Sequence, residues 1–521
     1  MTETCRRMAW AVAAASSWLA SAAAAQETAP GGRAPALPEP PAAVAPPWLS
    51  DTVTRPHANV ATRVARPDFR TLPIDAVELD AVGVLPRSIT GLPADLWGTT
   101  PAETLVRLFR AQPVSGRPAA LSFARTLALA ELAPPRDAAA AEGALFLARL
   151  DMLLDRGALD PAMALMERAG PAQPAVFRRF FDVSLLMGHG DRACTAMAAN
   201  PDIAPTFPAR IFCLARSGDW PAAALSFGTA EALGRISAGE GDLIARFLDP
   251  ELFEGAPPLP PDPNLTPLAF AMRMAIAERP DTTGLPLAFV HADLSPLAGW
   301  RAQLDAAERL MRAGAIEPQQ WFAIYTARVP SASGAVWDRV AAVQALDAAL
   351  LAGDAAEVAA RLPEAFGRMQ EAGLAVAFST VLAERLQRLP LTGEAGALAR
   401  RIGLLSPIYE DVASRTIAQS PAEALAFAVA RGEAPDAPQD ADAVARAVAA
   451  AFAGTAPPHR YRWLLDNGRM GEAFLRALVV LSDREADPGD LTDALVLFRT
   501  VGLEDLARRA ALQALLDRSL A

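Results

Sequence analysis

Lysine is absent from this chain of 521 residues; all 48 basic residues are arginine. That absence removes Schiff-base catalysis and the lysine with which phosphate-binding loops grip a nucleotide. Cysteine is nearly as scarce, with three in all and none in Cys-x-x-Cys spacing, so no dithiol redox motif is present. The four histidines are His57, His189, His291 and His459. Only His189 lies near another soft ligand, five residues before Cys194, and a lone His/Cys pair is a weak zinc signal. Its Gly188-His189-Gly190-Asp191 setting reads instead as a solvated turn. Nothing resembles a nucleophile elbow, so no catalytic residue, cofactor or metal site is assigned. The net charge of −11, without a basic stripe, makes the chain a poor binder of nucleic acid.

What is present begins with an address. Arg6 and Arg7 open an apolar stretch from Met8 to about Ala25, closed by Ala23-Ala24-Ala25 and followed by Gln26 and Glu27. That order predicts a secretory signal peptide over residues 1–25, cleaved between Ala25 and Gln26. Cys5 leaves with it. Alanine and serine dominate the stretch, which disfavours a transmembrane anchor. No later run reaches the roughly 18–20 apolar residues of a membrane span. The expected location is the periplasm or the cell exterior.

Residues 26–47 alternate proline with alanine and predict a disordered, extended tether. Residues 48–99 read as an irregular wrap, with a partial alternation from Ile74 to Leu85 that suits an isolated strand. Beyond them the composition, 52% apolar but only 6% aromatic, points to helices packed through alanine and leucine. The fold class is therefore all-α. A proline-rich break, Pro257-Pro258-Leu259-Pro260-Pro261, reads either as dividing the array into lobes 100–250 and 267–521 around a loop at 251–266 or as a long loop in a continuous array.

Local signals support this reading. Thr100-Pro101-Ala102-Glu103 and Ser420-Pro421-Ala422-Glu423 each place a capping hydroxyl, a first-turn proline and a glutamate at a helix start. Asp487-Pro488-Gly489-Asp490 is a looser version. Apolar residues then recur at helical spacing, as in Phe146, Leu150, Leu153 and Leu154, or Val336, Val340, Val343, Leu346 and Leu350. Glycine followed by a short polar step recurs at Gly157, Gly190, Gly218, Gly314, Gly353, Gly468 and Gly502. Each reads as the tip of a helical hairpin. Intervals of 33 (157 to 190), 28 (190 to 218), 39 (314 to 353) and 34 (468 to 502) suit a helix-turn-helix repeat.

The segments Asp155–Ala162 and Gly218–Leu225 resemble degenerate tetratricopeptide-type turns, and the resemblance implies an α-solenoid over about 100–510. In layout the chain also resembles exported alanine-rich proteins of GC-rich proteobacteria, which carry no activity across. Soluble lytic transglycosylases contain large helical arcs as well. Their catalytic glutamate sits in a lysozyme-like domain, and no such Glu-Ser motif is visible here.

Cys194 lies six residues before Asn200 and Cys213 five after Pro208, where one helix should end and the next begin. In antiparallel helices that places both about 8–9 Å from the loop, at about 1.5 Å per residue, and predicts a structural disulfide. Glu308 with Arg312, and Asp347 elsewhere, read as solvated helix faces or i,i+4 pairs. Trp220, Trp337 and Trp463 read as core, while Trp48, Trp97, Trp300 and Trp321 are candidates for lining a groove. No regular threonine period supports an ice-binding face. The functional expectation is a non-catalytic helical-repeat scaffold that binds a protein or peptide of the cell envelope. The rivals are a cell-wall-polymer hydrolase or lyase and a purely structural spacer.

Overall fold

The computed structural model describes residues 78–137, 143–454, 456 and 458–516. The Ala25–Gln26 cleavage site, the proline-rich tether, Trp48 and His57 fall outside the described residues. Among those described, every regular element is a helix, and extended pairing is limited to one isolated parallel bridge between Leu85 and Ala130. The Val84 and Leu85 amides donate to Leu129 O at 2.9 and 3.0 Å, and the Glu131 amide donates to Leu85 O at 2.9 Å. The alternating stretch that ends at Leu85 thus pairs at its end with a single neighbour.

The chain folds as a series of helical hairpins. Helices Val336–Ala352 and Ala355–Glu371 are joined by Gly353 and Asp354, and Met470–Ser482 packs on Pro488–Thr500. At Gly353 the backbone is left-handed (φ 67°), so the Gly353 amide reaches Leu350 O and the Asp354 amide reaches Ala349 O. This pair of bonds satisfies carbonyls that the helix end would leave bare. The same two bonds follow Gly157, Gly218, Gly314, Gly468 and Gly502, all at positive φ. One turn differs from expectation. Gly188, not Gly190, takes the left-handed conformation (φ 76°), and Gly190 opens the next helix, Gly190–Ala199.

Helix starts follow their caps with one exception. Ser420 Oγ accepts from the Glu423 amide at 3.2 Å, and Asp487 Oδ1 accepts from the Gly489 and Asp490 amides at 2.8 and 3.3 Å. Thr100 does not cap helix Ala102–Arg110; its hydroxyl is buried without a hydrogen-bond partner. The carboxylate of Asp137, 35 residues on, accepts from the Ala102 amide instead, at 3.0 and 3.2 Å. An anion at a helix start satisfies both the free amide and the helix dipole.

Beyond the hairpins, distant parts of the chain pack on one another. The proline-rich stretch is pinned by Arg246, which donates to Pro257 O at 2.8 Å, and by Arg273, which reaches Leu259 O and Pro260 O. Helix Pro267–Ala275 returns onto Pro174–Leu186. Helices Ala102–Arg110 and Pro118–Leu129 pack against Met470–Ser482, and Pro118–Leu129 also meets Glu504–Leu516. Phe123 from the first part of the array closes an aromatic trio with Phe474 and Phe498, at centroid distances of 6.1 and 5.8 Å. The two ends of the array therefore meet in one core.

A candidate binding cleft where the ends of the array meet

The junction is stitched by backbone as well as by side chains. The Gly471 amide donates to Leu96 O at 2.9 Å, the Thr99 amide to Gly468 O at 3.2 Å, and the Arg117 amide to Ser482 O at 3.0 Å. Arg117, 5% exposed, spreads its guanidinium over the carbonyls of Leu481 and Arg484 (both 3.1 Å) and of Asp483. Gln112 Nε2 reaches Leu475 O at 2.9 Å, and Gln513 Oε1 accepts from the Ala119 amide at 2.9 Å. At Gly471 a Cβ would stand 2.4 Å from the Trp97 ring, so this close approach requires glycine.

Beside the junction lies a cavity of about 800 Å³. Its walls come from residues 111–125, 311–319, 373–380 and 479–485, with Arg509 and Gln513. The buried part of its lining is apolar and includes Ala119, Ile316, Leu374 and Ala377, while the more exposed Arg125, Glu317, Asp483 and Arg484 contribute both signs of charge. Arg125 bonds Gly314 O at 3.2 Å and pairs with Glu317 at 3.2 Å. A second cavity of about 750 Å³ shares Arg312 and Gly373 with the first and continues past Glu308, Arg309, Arg339, Asp305 and Asp293.

Glu308 sits at the wall of that second cavity, 4% exposed. Tyr325 Oη donates to Oε1 at 2.5 Å, and Arg339 Nε and Nη2 donate to the two oxygens at 2.8 Å each. Arg312 Nη1 donates to Oε2 at 3.4 Å and to Ala372 O at 3.1 Å. Burial, then the adjacent carboxylate, raises the Tyr325 phenol above its usual range, so it remains a donor. The i,i+4 pair of Glu308 and Arg312 is present, and what this arrangement corrects is the reading of Glu308 as part of a solvated face. The signal was hidden because the partners stand 17 and 31 residues away in sequence. Asp347 likewise lies half-buried against Arg385, at 2.6 Å.

Nearby, Asp293 accepts from Thr282 Oγ1 at 2.5 Å and from Arg279 at 2.6 Å, and Arg309 forks onto Thr282 O and Leu285 O. Asp305 faces the cavity with its carboxyl raised by burial against the pull of Arg301. A general acid or base must exchange a proton with substrate. Glu308 instead spends its oxygens on four protein donors, which suits a wall that holds a shape.

The remaining candidates fall elsewhere. Cys194 and Cys213 form a disulfide with Cα atoms 5.0 Å apart. His189 is exposed at the start of helix Gly190–Ala199. His291 Nε2 stands 3.5 Å from Asp160, whose carboxyl it holds below the usual range. Among the described residues no three His, Cys, Asp or Glu side chains gather closely enough to hold a metal ion.

Of the tryptophans expected in the core, only Trp337 packs against it, and the described groove candidates are buried. Trp220 and Trp463 are about half exposed, whereas Trp97, Trp300 and Trp321 are buried. Trp337 packs on Trp300 with centroids 5.2 Å apart. A helix-end position does not imply a groove when the next hairpin covers it, and a helix packed on one side leaves its other face bare. Compared with protein-family models, curated proteins and solved structures, the chain matches none.

Proposed function

We propose that this chain is an exported, tetratricopeptide-like helical-repeat protein of the bacterial envelope that binds a segment of another envelope protein without transforming it. The signal-like N-terminus and the layout shared with exported alanine-rich proteins of GC-rich proteobacteria support a periplasmic location. One observation carries the binding role: a cavity of about 800 Å³ lies at the junction of the array's ends, and a second of about 750 Å³, lined by residues 281–373, shares Arg312 and Gly373 with it. Cavities in this range accommodate ligands, and an apolar lining beside paired charges suits a peptide segment. Concave faces are the usual working surface of helical repeats.

The test is photo-crosslinking in intact cells, with a photoreactive residue placed at Gln319 or Thr380 on the cleft and at Glu357 outside it. The expected outcome is a common protein adduct from both cleft positions and none from Glu357. Adducts with glycan alone would replace this reading with one of wall-polymer binding. Equal labelling from all three positions would remove the cleft from consideration.

A further inference from the structure

A third cavity, of about 520 Å³, lies far from the cleft, over the disulfide. Its walls are the facing sides of helices Gly190–Ala199 and Phe207–Arg216, with Asp191, Cys194, Thr195 and Ala198 opposite Arg210, Cys213, Leu214 and Ser217. Both sets follow the i, i+3, i+4, i+7 spacing of one helix face. The disulfide forms part of the lining, and Met197, Pro201 and Ala204 complete an apolar bed toward the connecting loop. Two features set its electrostatics. At one end Arg216 and Asp191 neutralise each other at 2.6 Å. Near the other, Arg210 is exposed and has no side-chain partner among the described residues. Phe207, three residues before Arg210 on the same helix, is 41% exposed.

We infer that this groove binds an anionic amphiphile: a linear hydrocarbon chain along the disulfide bed, with its carboxylate on Arg210. Charge complementarity selects the occupant, because the lining offers one uncompensated charge, a cation, at the edge of an apolar trough. A neutral chain would leave that cation unused, and a cationic head would meet only repulsion. The volume falls within the range of sites that enclose small ligands. Closing the disulfide fixes the separation of the two helices, and with it the width of the groove.

The experiment is calorimetric titration of the full chain with octanoate, decanoate and dodecanoate below their micellar concentrations, and with dodecanol as the neutral control. Each added methylene should tighten binding by about fourfold until the groove is filled. Arg210→Ala should weaken dodecanoate by up to about fivefold and leave dodecanol unchanged, as loss of an exposed ion pair predicts. Ala198→Trp, at an exposed lining position, should abolish binding of both without changing the unfolding midpoint. Absence of dodecanoate binding to the wild-type chain would overturn the inference. So would affinity indifferent to chain length or to both substitutions.

Discussion

Arginine does in this chain a task that lysine could not share. Arg149, fully buried, donates to the carbonyls of Ala128 and Ala130 at 2.8 Å each and of Asp80 at 3.3 Å. Arg156 does the same for Pro113 and Leu121, and Arg499 for Ala451. The planar fork reaches several carbonyls left over at helix ends and loops, where an ammonium offers no fixed geometry. Burial lowers the Arg149 guanidinium to about 10, which still leaves it charged at neutral pH. Arg149→Met should therefore cost about 3–5 kcal/mol, since it strips partners from buried carbonyls and a counter-charge from Asp80, as urea denaturation would measure. Asp160 offers a pH-dependent case. Its carboxyl is depressed in the folded state, so its contribution is present above the unfolded value near 4 and lost as pH falls through the folded value. Asp160→Asn should lower the urea midpoint at pH 6, and the difference from the wild type should vanish once the pH has fallen below the depressed folded value.

Helix starts and hairpin turns were largely legible because their determinants lie within a few residues. Ser420 and Asp487 cap the helices they precede, and six of the seven singled-out glycines stand where a left-handed residue is required. Thr100 failed for the opposite reason: its helix is capped by Asp137, which no local pattern links to it. The disulfide was legible from two helix boundaries, since a short connection fixes the height of both cysteines. It closes a loop with a sequence separation of 19. Its removal in a Cys194→Ser/Cys213→Ser double variant should destabilise the protein by about 3 kcal/mol. Alkylation of the unreduced wild type should modify neither thiol; labelling of both would contradict the pairing.

At the scale of the molecule, the fold class could be read from composition and period, but the candidate site could not. Gln112 meets Leu475 across 363 residues and Arg117 meets Arg484 across 367, and a single sequence gives no signal at such separations. The buried carboxylate network around Glu308 was hidden in the same way, because an i,i+4 pair with Arg312 looks alike on a solvated helix and beside a cavity. The central claim is that the array's ends are clasped, and that this clasp shapes the cleft. Hydrogen exchange on an Arg117→Ala variant tests it most directly. The account predicts faster exchange in residues 111–117 and 479–485, with helix Val336–Ala352 unchanged. Unaltered protection of residues 479–485 would contradict it.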